Sequence, residues 1–234
     1  MFQFKQFSVD QSGCAMKINT DGVLLGTITH ADAPQTVLDI GTGTGVIALM
    51  LAQKFANAQI HAVEIDDTAA KTAGRNFQQS IFNDRLTIYA GDISAFFEEH
   101  PENKYELVVS NPPFYINSLK SPGAKKVLAK HTDVNFFERL LKGVSDHLTP
   151  NGCCWLILPA NIAEIVIELA VHCNLHPQEL IKIYSYTYSD AHRVIICFGL
   201  GDNSLLLSNF TIYKAAGVYS EEYQKLLQPY FIAF

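Results

Sequence analysis

The chain has 234 residues and a formal net charge of −6. Its 48% hydrophobic and 17% charged residues supply a sizeable core, which excludes a disordered or fibrous chain. No apolar run approaches the ~18–20 residues of a membrane span, and the opening MFQFKQFSVD has no signal-peptide pattern. The five cysteines (Cys14, Cys153, Cys154, Cys173, Cys197) form no CxxC pair, so reduced thiols in a cytoplasmic monomer are expected. The acidic balance weighs against a nucleic-acid partner. Between Tyr115 and Lys130, however, Lys120, Lys125, Lys126 and Lys130 occur with no acidic residue, a local patch suited to an anionic partner.

In chain order, residues 2–9 place apolar side chains at nearly alternate positions and predict a short strand or hairpin. Thr36–Ile40 reads as a buried strand, followed by a glycine-rich turn and a helix from Gly45 to Phe55. Gln59–Glu64 is a second strand with a helix at Asp67–Gln79. Leu86–Ala90 and Tyr105–Ser110 are the third and fourth strands. A helix at Phe136–Leu148 ends in the turn Thr149-Pro150-Asn151-Gly152. Cys153–Leu158 is a fifth strand, Ala160–His172 a helix, and Leu180–Tyr186 with Arg193–Gly199 an antiparallel pair. Ser220–Pro229 is a terminal helix.

This alternation predicts an α/β, Rossmann-like fold of the class I methyltransferase type. Its seven-stranded, mostly parallel sheet would carry a terminal antiparallel pair and a short N-terminal extension. One domain is expected over 1–234: an N-terminal hairpin and helix (1–35), a catalytic core (36–200), and a C-terminal strand and helix (201–234). His172-x-x-x-His176 has metal-ligand spacing, but Pro177 argues for a helix end there, and no metal is expected.

Asp39-Ile40-Gly41-Thr42-Gly43-Thr44-Gly45 lies where the first strand meets its helix. Glycines there allow positive φ and close backbone approach to a ligand. The spacing is G-x-G-x-G rather than the G-x-G-x-x-G that cradles a pyrophosphate, which disfavours a nicotinamide oxidoreductase. Asp39 would repel a phosphate but suits the ammonium of S-adenosylmethionine (SAM), directly or through water. Glu64 ends the second strand, where a carboxylate can accept both ribose hydroxyls, with Ile65 beside it. Asp92 and Ile93 follow the third strand, positioned for the adenine amino group and ring. A strand-ending turn accounts for one such feature, and helix capping for Asp66 or Asp92. Three features at the correct strand ends together favour SAM.

Asn111-Pro112-Pro113-Phe114 follows the fourth strand. The Asn111 side-chain oxygen and the Pro112 carbonyl can each accept one N–H of an exocyclic amine, aiming its lone pair at a methyl group. Two prolines restrict that backbone, and Phe114 offers a face on which a flipped base can stack. The tetrapeptide matches the [D/N/S]-P-P-[F/Y/W] signature, so the chain resembles the class I SAM-dependent amino-methyltransferases. That resemblance implies catalytic roles for Asn111, Pro112, Pro113 and Phe114.

Further segments narrow the resemblance. Phe4-Lys5-Gln6-Phe7, Cys14-Ala15-Met16-Lys17, Thr20-Asp21-Gly22-Val23-Leu24-Leu25-Gly26, His192-Arg193-Val194 and Tyr219-Ser220-Glu221-Glu222-Tyr223 are similar to the bacterial valine tRNA (adenine-N6)-methyltransferase family. Lys130-His131 departs from that family's usual arginine, and the aromatic ending is only approximate. The resemblance implies methyl transfer to adenine N6 in tRNA, beside the anticodon. Thr20, Asp21 and Lys17 are then candidates for the SAM carboxylate, the first two through a helix-capping turn. Lys120, Lys125, Lys126, Lys130 and Arg193 are candidates for RNA. Rival readings are a guanine-N2 rRNA or protein-glutamine methyltransferase, and a non-catalytic RNA-binding module on a SAM fold. The short segment before Thr36 disfavours the former, and intact Glu64 and Asn111 the latter.

Overall fold

The computed structural model describes residues 1–112 and 124–234, with side chains from residue 134 onward in the second stretch. The core begins with β3 (Thr36–Ile40), which is preceded by a two-stranded hairpin, β1 (Phe2–Gln3) and β2 (Ser8–Val9), and by helix α1 (Thr20–Ile28). Then come α2 (Val46–Lys54), β4 (Gln59–Glu64), α3 (Asp67–Gln78), β5 (Leu86–Ala90), α4 (Ile93–Glu99) and β6 (Tyr105–Ser110). The remainder is α5 (Ala124–His147), β7 (Leu148–Pro159), α6 (Ala163–His172), β8 (His176–Tyr184), β9 (Ala191–Gly199), β10 (Leu206–Thr211), β11 (Tyr213–Ala215), β12 (Val218–Tyr219) and α7 (Glu221–Leu227).

The main sheet runs β10-β8-β9-β7-β6-β3-β4-β5. The strands from β7 to β5 are parallel, and β9 is antiparallel to both β7 and β8. The antiparallel element is therefore one strand inserted between two parallel neighbours. An eighth strand, β10, lies outside β8 and parallel to it, where seven strands were expected. It opens with Leu206 and Leu207, which with the preceding Leu205 are consecutive and exposed and so lack the alternation that marks a strand in sequence.

Period-two alternation divides the core between the two sheet faces. Val37, Trp155, Ile157 and Ile195 pack with α1, α2, α3 and α7 on one side. Leu38, Leu156, Leu158 and Ile196 pack with α4, α5 and α6 on the other. Every residue of α2 from Val46 to Ala52 is buried, which explains why that helix is apolar all round. The chain ends also meet. Phe4 forms a bridge with Phe231, and Lys5 Nζ donates to the carbonyls of Gln228 and Phe234 at 2.5 and 2.9 Å.

Several boundaries differ from expectation, β8 opening at His176 rather than Leu180 and α6 at Ala163 rather than Ala160 among them. The predicted turn Thr149–Gly152 is absorbed into β7 as an irregularity, where the β6 register jumps from Tyr105↔Leu148 to Leu107↔Cys153. Helix α5 begins at Ala124, so Lys125, Lys126 and Lys130 stand on a helix rather than in a loop. His172 ends α6 while His176 opens β8, which separates the two histidines that helical spacing would have paired.

Candidate active site

The carboxyl ends of β3, β4, β5 and β6 share one edge of the sheet, and the motif residues gather there. Gly41, Gly43 and Gly45 all take positive φ, at 70°, 58° and 82°. At Gly45 the reason is close packing as well, because an added Cβ would lie 2.5 Å from Phe77 Cε1. Gly41 and Gly43 instead face open space, with nothing within 4 Å of a built Cβ. The loop is tied to β4 through Gly41 N and Thr42 N, which donate to Val63 O at 2.8 and 3.1 Å.

Asp39 is fully buried beneath this loop. Its Oδ2 accepts from Thr42 Oγ1 at 2.6 Å and from Ala48 N at 3.1 Å, joining β3 to the start of α2. Burial outweighs those hydrogen bonds and pushes its carboxyl up to about 7. Its Oδ1 is buried without a partner among the described residues. Glu64 links two loops: Oε2 accepts from Gly43 N at 2.8 Å and Oε1 from Asp66 N at 2.9 Å. Beside it Ile65 is 69% exposed, an apolar surface at a strand end. Asp66 and Asp92 cap α3 and α4, accepting from Ala69 N at 2.7 Å and Ser94 N at 2.8 Å, and Ile93 is buried behind Asp92.

Asn111 follows β6, which Ser110 Oγ ties to β3 through Ile40 O at 2.8 Å. Asn111 and Pro112 line a 340 Å³ pocket with Met16, Asn19, Asp21 and Arg193. Asp21, in the first turn of α1, accepts from Arg193 Nε at 2.7 Å. The structure thus joins a residue expected to hold cofactor to one expected to hold RNA. Arg193 also donates from Nη1 to the carbonyl of His192 at 3.0 Å. Burial first, and then the Arg193 charge, hold the His192 ring below its usual pKa. Thr20 and Lys17 are exposed and adjoin lining residues in sequence, but neither lines this pocket. Pro113, Phe114 and Lys120 lie outside the described residues, as do the side chains of Lys125, Lys126 and Lys130. A larger cavity of 710 Å³ lies at the far ends of α1 and α2, between Lys54, Glu179 and Lys225, and includes none of these motif residues.

Residues 15–166 match the methyltransferase small domain family. Over 233 residues the chain is 44% identical to the tRNA1(Val) (adenine(37)-N6)-methyltransferase of Pedobacter heparinus, covering 100% of this chain and 98% of the relative. The Porphyromonas gingivalis and Bacteroides fragilis proteins of that name are 38% and 36% identical, each across 99% of this chain and 94% and 97% of their own lengths. The chain belongs to this methyltransferase family. A crystal structure of a predicted O-methyltransferase from Agrobacterium tumefaciens superposes with a TM-score of 0.70 at 16% identity, covering 90% of this chain and 96% of that one. A Pyrococcus furiosus methyltransferase gives 0.55 at 22% identity, with 81% and 90% covered. These two likenesses establish the shared fold.

As a member of the family the chain uses SAM as methyl donor, and the residues present fit that cofactor. Open space over Gly41 and Gly43 admits a ligand against bare backbone, and Asp39 Oδ1 is a buried acceptor with capacity left. Sequence reasoning missed two asparagines. Asn19, rather than Thr20, caps α1 by accepting from Gly22 N at 2.9 Å. Three consecutive cap-competent residues, Asn19-Thr20-Asp21, hid the choice. Asn76 donates to Thr44 O at 2.8 Å and Asp10 O at 2.9 Å and accepts from Asp10 N at 2.8 Å, fastening the N-terminal segment to the glycine loop. Nothing local in sequence signals that role.

Proposed function

We propose that the chain methylates N6 of an adenine in tRNA, beside the anticodon of a valine tRNA, as a monomer in the cytoplasm. The observation that carries the reading is the pocket in which Asn111 and Pro112 stand at the same sheet edge as the glycine loop and Glu64. Full-length identity to relatives named for that reaction supports the substrate, and five free thiols, three of them buried, support the compartment.

In this reading Glu64 accepts the ribose hydroxyls, Asp39 orients the amino-acid end from beneath the loop, and Ile65 and Ile93 flank the adenine of the cofactor. Thr20, Asp21 and Lys17 are assigned to the cofactor carboxylate, with the Asp21 charge balanced by Arg193. The bound cofactor supplies an electrophilic methyl group on a sulfonium. Asn111 and the Pro112 carbonyl accept the two N–H groups of the target amine and present its lone pair. Phe114 and the lysines at 120, 125, 126 and 130 complete the base and backbone contacts. The nitrogen sheds one proton to solvent as its new bond forms.

The test is incubation with labelled SAM and unmodified total tRNA, followed by nucleoside identification. N6-methyladenosine is expected. N2-methylguanosine, or label entering protein alone, overturns the substrate, and no transfer despite SAM binding overturns catalysis.

A further inference from the structure

A row of tyrosines stands on the same edge of the sheet as the Asn111 pocket. The placement follows from strand direction. The β9 residue Arg193 is paired with Pro159 at the carboxyl end of β7, Ala191 with Tyr184 at the carboxyl end of β8, and Thr211 of β10 with Tyr184 again. The β8–β9 turn and the β11–β12 hairpin therefore both emerge beside the active edge. Tyr188 and Tyr186 stack with ring centroids 5.2 Å apart and planes 7° apart. Tyr186 meets Tyr213 at 5.6 Å, Tyr213 stacks on Tyr219 at 5.2 Å and 20°, and Tyr219 on the buried Tyr223 at 4.7 Å and 16°. The row runs from the core to a ring that is 82% exposed.

The outer end is held rigid. Ser189 N donates to Tyr186 O at 3.0 Å, Ser189 Oγ donates to that same carbonyl at 2.8 Å, and Tyr186 N donates to Ser189 Oγ at 3.0 Å. The hairpin is fixed to the turn through Tyr213 N, which donates to Ser185 O at 2.9 Å. Tyr186 lies offset against Tyr188 with nearly parallel planes, and Tyr188 stays 82% exposed, so most of its ring is open to solvent. A large aromatic face held in solvent gains little for folding, but a preorganised ring is what an unstacked base requires. Tyr188 and Arg193 are five positions apart, at most about 18 Å of chain, a few nucleotides' span from the pocket.

We propose that this tyrosine row is a stacking platform for single-stranded RNA bases that flank the methylated base, with Tyr188 as the contact ring. The proposal rests on the RNA reading of the active site. Nearby charge is mixed, with exposed Lys182 and Lys214 against Asp190, Glu221 and Glu222. Stacking rather than phosphate neutralisation therefore supplies the contact, and its contribution varies little with salt.

The experiment compares wild type with Tyr188→Ala, Tyr188→Leu and Tyr188→Phe. It uses unmodified tRNA for turnover and, for binding, a short RNA hairpin whose loop adenine is flanked by 2-aminopurine. The Ala and Leu variants should weaken hairpin binding and raise KM for tRNA about tenfold and relieve the 2-aminopurine quenching. Their kcat and SAM affinity should stay within about twofold, and Tyr188→Phe should behave as wild type. Unchanged binding and KM in the Ala variant overturn the platform and leave the tRNA reading standing if wild type methylates tRNA. Wild type that methylates no tRNA, yet loses hairpin affinity on Tyr188→Ala, overturns that reading and retains the platform. Equal behaviour of the Leu and Phe variants overturns stacking as the contact.

Discussion

Arg193 Nε lies 2.7 Å from Asp21 Oδ2, an ion pair between residues 172 positions apart. It fastens the first turn of α1 to the start of β9, at the wall of the pocket that holds Asn111. Side-chain exposures of 30% and 18% place it between surface and buried pairs. We expect Asp21→Ala or Arg193→Ala to lower stability by about 1–2 kcal/mol, a fall in Tm of a few degrees. A double-mutant cycle should return a coupling near 1 kcal/mol; strictly additive losses would show that the pair contributes nothing as a pair.

Asn111→Ala should separate chemistry from cofactor binding. Its assigned contact is with the target amine, so kcat should fall by ~10²-fold or more. SAM affinity, measured calorimetrically, should stay within about twofold. A large loss of SAM affinity would move Asn111 from the substrate to the cofactor.

Gly45→Ala combines two penalties. Positive φ alone costs a non-glycine residue roughly 1–2 kcal/mol, and Phe77 leaves no room for the methyl group. Gly217, with φ 71° and nothing within 4 Å of a built Cβ, isolates the first penalty. Chemical denaturation should therefore show Gly45→Ala as the more destabilising substitution and Gly217→Ala as the milder one. Equal losses would mean that Phe77 moves aside freely.

The buried carboxyl of Asp39 gives a pH signature. Its folded value of about 7 is above the ordinary carboxylate value of 3.8. Between those values the folded state binds more protons than the unfolded one, so this group's contribution to stability declines as pH rises through that window and levels off above it. Asp39→Asn keeps an acceptor for Thr42 and Ala48 but does not titrate. The stability of wild type relative to this variant should fall from pH 4 to 7 in the apoprotein. A constant difference across that range would show that Asp39 stays ionised.

The elements legible in sequence were those with local causes. The five parallel strands, the β8–β9 pair and helices α3 and α6 announce themselves by apolar runs or period and by the turns that bound them, and α2 by the apolar run that follows the glycine turn. The glycine loop is legible because positive φ at three alternating positions requires that residue type. Helix α4 was visible only as the cap Asp92, since seven residues carry too little period. Strand β10 was foreseen only as an unplaced C-terminal strand within 201–234, because an edge strand needs only one neighbour and no buried alternation.

Spacing by itself made the fold class legible and marked the glycine loop and the Asn111–Phe114 tetrapeptide as candidates, because each is a pattern among residues adjacent in the chain. Tertiary structure alone decided that Asp21 answers Arg193, that Asn76 fastens the glycine loop, and that tyrosines 186, 188, 213 and 219 form one row. Those relationships depend on which strand ends share an edge. The short turn after β8 declares that β9 reverses against it, but the pairing of β9 with β7, which sets that edge, is not declared by any residue's sequence neighbours.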